Sequence, residues 1–451
     1  MYDVLNLCNG KLLNGFENEV INKCFINSKE VSDGGCFFGI NGKRVNGSLF
    51  YKEALDNGAK ICILEKITDI NLKGFLDRTI IIVDDVLLCM QKLAEYKRSL
   101  FKGKVIGITG SVGKTTTRCM IKSVLESKYK VLSNTGNQNG QTGLPLTILN
   151  LTDEDVMVLE MGMSMPGEMH KLSSIAKPDI SIITNVCLSH IENFSSKEDI
   201  LNEKLSIIDG VEEGILFINN DDELLNKVDL NNIEIKSYGI KNKSDYMLSN
   251  IMIDDDITFD FNDIKDICIS APYYYLYNVL IACVIGKLFN ISNDAIKNGV
   301  MEFKNEPHRL EKIKLSNNIT LIDDCYNASY ESIKTALDYL SRFNKRKILV
   351  IADVLELGNK SKEIHKKIGE MILNYDIDKV IVIGKYSKYI YKVLKSKYKK
   401  NNLIYFKDEV LLRSYIKDCL KENDTILIKG SNGMRLINII NYLKNNCENY
   451  T

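Results

Sequence analysis

No tryptophan occurs among the 451 residues, and the chain is rich in Asn, Ile and Lys instead. That bias reads as genome composition and carries no functional signal. An excess of one charge is also missing: 59 basic residues balance 59 acidic ones, so no field points to a nucleic-acid or membrane-surface partner. No apolar run approaches the ~18 residues of a membrane span. The opening MYDVLNLCNG lacks the basic-then-apolar layout of a signal peptide. A cytoplasmic protein is expected. The 12 cysteines include no C-x-x-C pair. Several lie in apolar runs such as ICIL and VLIACVIG, where they read as small buried hydrophobes in a reducing compartment. Internal repeats and low-complexity tracts are absent as well.

What is present is an ordinary globular composition, 45% hydrophobic and 26% charged, in a chain too long for one domain. Residues 1–102 carry short strand signals (CFFGI, AKICILE, RTIIIVDD), the helical pattern LFYKEALDNG and a closing helix, VLLCMQKLAEYKRSL, before the connector FKGK. Residues 103–308 alternate. KVIGIT, DVMVLEMG, DISIITNV and GILFINND read as strands, TTTRCMIKSVLESK and APYYYLYNVLIACVIGKLFN as helices, and EFKNEPHRLEKI as a linker. Residues 309–451 repeat the alternation through ITLIDDCYN, RKILVIAD, DKVIVIG, NLIYF and DTILIKGS. The expected fold is α/β in three domains: a small α/β N-terminal domain, a central P-loop doubly wound domain with a mostly parallel sheet, and a C-terminal Rossmann-like domain.

GITGSVGKTTTR (Gly107–Arg118) follows a strand and opens a helix. Glycines let backbone N–H groups approach phosphate oxygens, and the helix N-terminus adds favourable dipole charge. Gly110, Ser111, Val112, Gly113, Lys114, Thr115 and Thr116 therefore read as a phosphate cradle for a nucleoside triphosphate, ATP. Lys114 would reach the β/γ-phosphates and the Thr115 hydroxyl would ligate Mg²⁺. The strict pattern wants glycine at position 108, where Ile108 stands. Glu160, closing the strand VMVLE, is placed to share that metal, although a glutamate at a strand end is ordinarily a solvated loop residue. His190, in the loop after ISIITNV, again lies on the carboxyl edge of the sheet where α/β ligands bind. Lys204, in KEDILNEKLSIIDG, looks by itself like an exposed helix lysine.

These stretches, with NTGNQNGQTGLPLTIL, VLEMGMSMPGEM, NVCLSHIENFSSKEDILNEK, LIDDCYNASYESIKTALDYL, LELGNKSKEIHKKIG and ILIKGSNGMR in order from about Val105 to Arg435, resemble the Mur ligases. The nearest branch adds D-alanyl-D-alanine to UDP-N-acetylmuramoyl-tripeptide in peptidoglycan precursor synthesis. The resemblance implies a UDP-sugar-binding first domain and an ATP-dependent amide-bond ligase that works through an acyl phosphate. It also implies two Mg²⁺ ions, held by Thr115, Glu160, His190 and a carbamylated Lys204. Asn278 falls on an adenine-side position, and Arg309 on a hinge arginine that reaches ATP. Asp324, Tyr326 and Asn327 fall on the ATP-facing turn of the last domain. Ser28, Asn137, Asn139, Thr142, Gly143, Lys429, Gly430 and Ser431 fall on substrate-side positions. The partners so implied are the UDP-muramoyl-peptide and D-Ala-D-Ala, and the protein is expected to be a monomer. Without the resemblance, Arg309 would read as a surface salt-bridge residue.

The chain departs from the family where the UDP-sugar is gripped. Asn27-Ser28-Lys29 stands for the usual D-S-R, and Asn46-Gly47-Ser48-Leu49-Phe50 for D-G-H-D-F. Lysine lacks the bidentate fork of arginine, and asparagine lacks the charge of aspartate. Tyr274-Tyr275 replaces a His-Asn, and Ser329-Tyr330 an Asn-Pro. Two alternatives stay open: a paralogue that joins a different carboxylate and amine, and a nucleotide-dependent binding protein that makes no bond.

Overall fold

Strands of the described residues gather into four sheets in the computed structural model, which describes residues 2–42, 45–67, 70–187, 192–254 and 256–447. The first sheet holds β1 (Lys11–Asn14), β2 (Cys24–Phe25), β3 (Cys36–Phe38), β4 (Ile61–Leu64) and β5 (Thr79–Ile82) in the order β1-β5-β4-β3-β2. Only β1 runs antiparallel to its neighbour. Helices α1 (Tyr2–Leu7), α2 (Tyr51–Asp56) and α3 (Val86–Leu100) accompany it. Helix α3 fills the span expected from its periodicity. Asp85 caps its first turn by accepting from the Leu88 N–H, and Lys97 and Arg98 sit in its last turn, where cations complement the helix dipole. Both also cross to the next domain. Lys97 donates to the Leu149 carbonyl (2.7 Å), and Arg98 to the carbonyls of Ala176 (2.7 Å) and Lys177 (2.8 Å).

The second sheet holds β6 (Lys104–Thr109), β7 (Val131–Ser133), β8 (Val156–Glu160), β9 (Ile180–Ile183), β10 (Ile215–Asn219), β11 (Glu234–Gly239) and β12 (Tyr246–Met247). All its pairings are parallel, in the order β12-β11-β10-β9-β6-β8-β7. The order reverses at β6, and such a switch point opens a crevice at the carboxyl ends of the strands. An antiparallel sheet that the sequence reading did not separate, β13 (Ser249–Ile253), β14 (Ile257–Phe261) and β15 (Ile264–Ile269), follows. The helices are α4 (Lys114–Leu125), α5 (Gly143–Leu149), α6 (Glu168–Ala176), α7 (Lys197–Leu205), α8 (Tyr275–Leu288) and α9 (Asn293–Met301). Helix α8 is buried continuously from Tyr275 to Gly286. One core joins it to α4, β14 and β15, which accounts for its apolar character on every face.

The last sheet holds β16 (Glu311–Lys314), β17 (Thr320–Asp324), β18 (Lys347–Ala352), β19 (Lys379–Ile383), β20 (Leu403–Phe406) and β21 (Thr425–Lys429), ordered β16-β17-β21-β18-β19-β20. Five of these match the expected strands. The sixth, β16, lies at the end of the stretch read as linker. Its four polar-alternating residues pair antiparallel with β17, so an edge pairing that only the partner strand supplies turns linker into strand. Helices α10 (Tyr330–Ser341), α11 (Ser361–Leu373), α12 (Lys388–Leu394), α13 (Glu409–Cys419) and α14 (Ile437–Cys447) cover it. No helix of the described residues is long and apolar enough to cross a membrane.

Candidate active site

Strand β6 ends at Thr109 and α4 begins at Lys114, so Gly110–Gly113 form the turn between them. Gly110 has φ 149°, and a Cβ there would stand 1.9 Å from Thr184 Oγ1; only glycine fits. Asn185 clamps the loop from the next strand end. Its Oδ1 accepts from the Val112 N–H (2.9 Å) and its Nδ2 donates to the Val112 carbonyl (2.7 Å). Lys114 donates to the Gly110 carbonyl at 2.6 Å. Its ammonium is pushed below the usual lysine range by loss of solvent, with Glu160 opposing and Arg309 reinforcing that shift.

Glu160 is buried, at 3% exposure, and not the solvated residue that a strand-end glutamate suggests. Thr115 donates to its Oε2 (2.6 Å) and Asn139 to its Oε1 (2.7 Å). Asn134 brackets its backbone, donating to the Glu160 carbonyl and accepting from its N–H. Arg118, one turn beyond Lys114 on α4, places Nε 3.8 Å from Glu160 Oε2 and pairs with Glu306 of the linker. A hydroxyl and a carboxylate held together this way are hard oxygen donors, suited to Mg²⁺.

Lys204 corrects the surface reading. A capping box of Ser196 and Asp199 starts α7, and the last turn carries Lys204 inward to 2% exposure. Its ammonium has no hydrogen-bond or ion-pair partner among the described residues. Burial pushes its pKa well down, and nearby Lys114 adds to the shift. The sequence window around Lys204 shows no such burial because the covering chain comes from elsewhere in the fold. His190 lies outside the described residues.

The third domain supplies the opposite wall. Asp324, at the end of β17, takes an ion pair from Lys429 of β21 at 2.5 Å, and Lys429 also donates to the Asn327 carbonyl (3.2 Å). Burial raises the Asp324 carboxyl although Lys429 and Arg309 pull the other way. Among the described residues Arg309 does not form the surface salt bridge expected of it. Its guanidinium lies 4.0 Å over the Tyr326 ring, a cation–π contact. The Tyr326 hydroxyl in turn meets Asn137 Oδ1 of the central domain. Val354 and, from the LELG stretch after it, Leu355–Leu357 also face inward. His365 on α11 holds that loop: it donates from Nδ1 to the Ser361 carbonyl (2.6 Å) and accepts at Nε2 from the Val354 N–H (3.1 Å).

The two walls enclose a cavity of about 590 Å³. It is lined by Gly110–Thr116, Asn137, Asn139, Glu160, Lys204, Asn278, Arg309, Asp324, Tyr326, Asn327, Lys429 and Ser431. Asn278 donates to Thr117 Oγ1 (2.7 Å), while its buried Oδ1 has no partner. Ser28, Thr142, Gly143 and Gly430 do not line it. Ser28 is buried in the first domain and donates to Glu53. Gly143 and Gly430 are tightly packed, since a Cβ would stand 2.2 Å from Gln138 Cα and 2.7 Å from Ala352 Cβ respectively. The sequence reading singled out neither Arg118, Asn134 nor His365. Arg118, four residues after Lys114 and so on the same helix face, was the one with a signal.

Family descriptions match the chain in three consecutive segments: Mur ligase family, catalytic domain, at residues 20–98; Mur ligase middle domain at 108–286; and Mur ligase, glutamate ligase domain, at 308–432. The UDP-N-acetylmuramoyl-tripeptide–D-alanyl-D-alanine ligase of Bacillus subtilis is 32% identical over 97% of this chain and 96% of its own. This chain belongs to the Mur ligase family. Among solved structures, MurF ligase from Thermotoga maritima in complex with ADP shares 29% identity, covers 95% of this Mur ligase and 99% of its own chain, and superposes with a TM-score of 0.81. MurF from Acinetobacter baumannii, at 22% identity, shares the fold with a TM-score of 0.86 over 98% of each chain.

The departures from the family pattern keep local backbone roles. Asn27 and Asn46 accept from the N–H groups of Lys29 and Ser48, a capping job that aspartate would also do. Ser329 caps α10 in a capping box with Ser332. At Asn27 and Asn46 the capping contact is made without the charge an aspartate would carry.

Proposed function

We propose that this Mur ligase joins D-alanyl-D-alanine to the carboxylate of UDP-N-acetylmuramoyl-tripeptide at the expense of ATP, in peptidoglycan precursor synthesis. The observation that carries the reading is the shared cavity: a phosphate loop, the Thr115–Glu160 pair and buried Lys204 on one wall face Arg309, Asp324 and Tyr326 on the other. The names of its relatives along nearly the whole chain support the choice of substrates. We also infer domain limits of 1–102, 103–308 and 309–451, with FKGK and the Pro307 linker as the joints.

Joining two anions, a triphosphate and a carboxylate, requires cations to offset their repulsion. N–H groups of Gly110–Thr115 and the α4 dipole would hold the phosphates. Lys114 would exchange the Gly110 carbonyl for phosphate oxygens, and Arg309 would approach from the other wall. The γ-phosphoryl group passes to the substrate carboxylate. The dipeptide amine then attacks the acyl phosphate, and phosphate leaves the tetrahedral adduct. The unpartnered Asn278 Oδ1 is suited to accept from the adenine amino group. Thr115 and Glu160 would hold one Mg²⁺, and Lys204, carbamylated, would with His190 hold a second; Mg²⁺ supplies positive charge against the phosphate oxygens. A buried lysine shifted towards its neutral amine is the form that reacts with CO₂. Closure of Tyr326 onto Asn137 would keep water from the acyl phosphate.

Phosphate release from ATP, measured with UDP-muramoyl-tripeptide and D-Ala-D-Ala and with each omitted in turn, tests this. Release that needs both substrates, with the pentapeptide product seen by mass, is the expected result. ATP binding without release under those conditions would favour a paralogue with other substrates, which the altered Asn27–Lys29 and Asn46–Phe50 stretches make the natural second reading.

A further inference from the structure

A second donor set meets in the linker before β16. His308 adopts φ 66°, a left-handed backbone that non-glycine residues seldom take. The turn lays its Nδ1 2.6 Å from Asp323 Oδ2. The thiol of Cys325 completes a group whose ligand atoms all lie within 4.8 Å of one another. Among the described residues, no other trio of His, Cys, Asp or Glu side chains meets that condition. None of the three lines the ATP cavity, whereas Asp324 and Tyr326 do. Alternation along the strand sends Asp323 to the opposite face from Asp324.

We propose that His308, Asp323 and Cys325 form a binding site for a thiophilic divalent cation of the zinc class, with the fourth position left to water. Imidazole, carboxylate and thiolate are the ligand types of open zinc sites. The sulfur and nitrogen donors disfavour Mg²⁺, which seeks oxygen. Charge and protons balance: as the cation binds, the thiol proton leaves for solvent, Nδ1 gives up the proton it shares with Asp323 so that the neutral imidazole carries its hydrogen on Nε2, and the thiolate and carboxylate neutralise the divalent ion. The outer contacts are in place. The Cys325 N–H fixes Asp323 Oδ1 (3.2 Å). The backbone of His308 donates to Glu311 Oε2 (3.2 Å) and accepts from the Tyr326 N–H (3.1 Å). Asp323 has no exposed side-chain surface, whereas the His308 ring is 28% exposed and leaves a route from solvent. Ligands about 2.1 Å from a tetrahedral ion lie about 3.4 Å apart. The ring must therefore back away from Asp323 by a little under ~1 Å, towards its open side. Occupancy would tie the linker to β17 beside Arg309 and so fix how the last sheet faces the ATP cavity.

The test uses the full chain, freed of metal with a chelator and titrated with Co²⁺ alone as a spectroscopic probe. A thiolate-to-cobalt charge-transfer band with the strong visible absorption of a tetrahedral ion is expected near one equivalent. Zn²⁺ should abolish it, and excess Mg²⁺ should not. Cys325→Ser should remove the band, while Cys268→Ser, on the distant β15, should keep it. If Cys325→Ser fails to fold, His308→Ala carries the test, since that ring is partly exposed; it should weaken Co²⁺ binding at least about tenfold. No thiolate band at one equivalent, or a band of unchanged affinity in His308→Ala, would overturn the proposal.

Discussion

Lys204 shows what a single buried amine does to the molecule. Its folded pKa is depressed by burial below the ordinary 10.5. Between those two values the unfolded chain binds a proton that the folded chain does not. Stability therefore rises as pH climbs through that window, up to the unfolded value, and falls on the acid side. Lys204→Met should remove this slope and, in buffer free of bicarbonate at neutral pH, raise stability by about 1 kcal/mol or more, because it replaces a buried polar group that has no partner among the described residues with a flexible apolar one. The same variant should lose at least about a hundredfold in ligase rate if Lys204 contributes to charge stabilisation. Urea unfolding across pH and phosphate release measure the two effects. A variant that is both active and no more stable would remove Lys204 from the site. Sequence alone could not foresee this: the residues around Lys204 are those of a solvated helix, and its burial comes from distant chain.

At the scale of elements, the glycine turn from β6 into α4 was the most legible part of the chain. Strand, glycine turn and helix are adjacent in sequence, so local pattern dictates them. Its clamp was not legible, because Thr184 and Asn185 come from the end of β9. Gly110 belongs to both. Gly110→Ala would put a methyl group 1.9 Å from Thr184 Oγ1 at a φ of 149°, and should cost about 2–3 kcal/mol while sharply weakening ATP binding. Thermal unfolding with and without ATP checks it. Normal stabilisation by ATP in this variant would mean that the loop tolerates the methyl group and holds phosphate in another form. Strand β16 illustrates the reverse limit: its sequence is unremarkable, and only the exposed edge of β17 recruits it. The antiparallel β13–β15 sheet likewise has no signal in the strand–helix alternation, being set by pairings between its own strands.

For the whole molecule, the contacts between walls matter most. Tyr326 meets Asn137, and Arg342 at the end of α10 donates to the carbonyls of Ala271 (2.8 Å) and Asp254 (2.6 Å). These link the last domain to the central one in a closed arrangement. ATP with the acyl substrate is expected to favour this form. The double variant Tyr326→Phe and Arg342→Ala should be more expanded in small-angle scattering and need more ligand to compact. Identical profiles for the parent and the variant, with and without ligands, would separate closure from these contacts. The sequence by itself determined the α/β alternation, the position of the glycine turn between β6 and α4 and the family, because periodicity and short-range turn chemistry are written into neighbouring residues. Tertiary structure alone decided that Glu160 and Lys204 are buried, that Arg309 stacks on Tyr326 and that Lys429 pairs with Asp324. Each of those depends on which distant segment excludes water from the group, and burial of a charge is a property of the assembled fold.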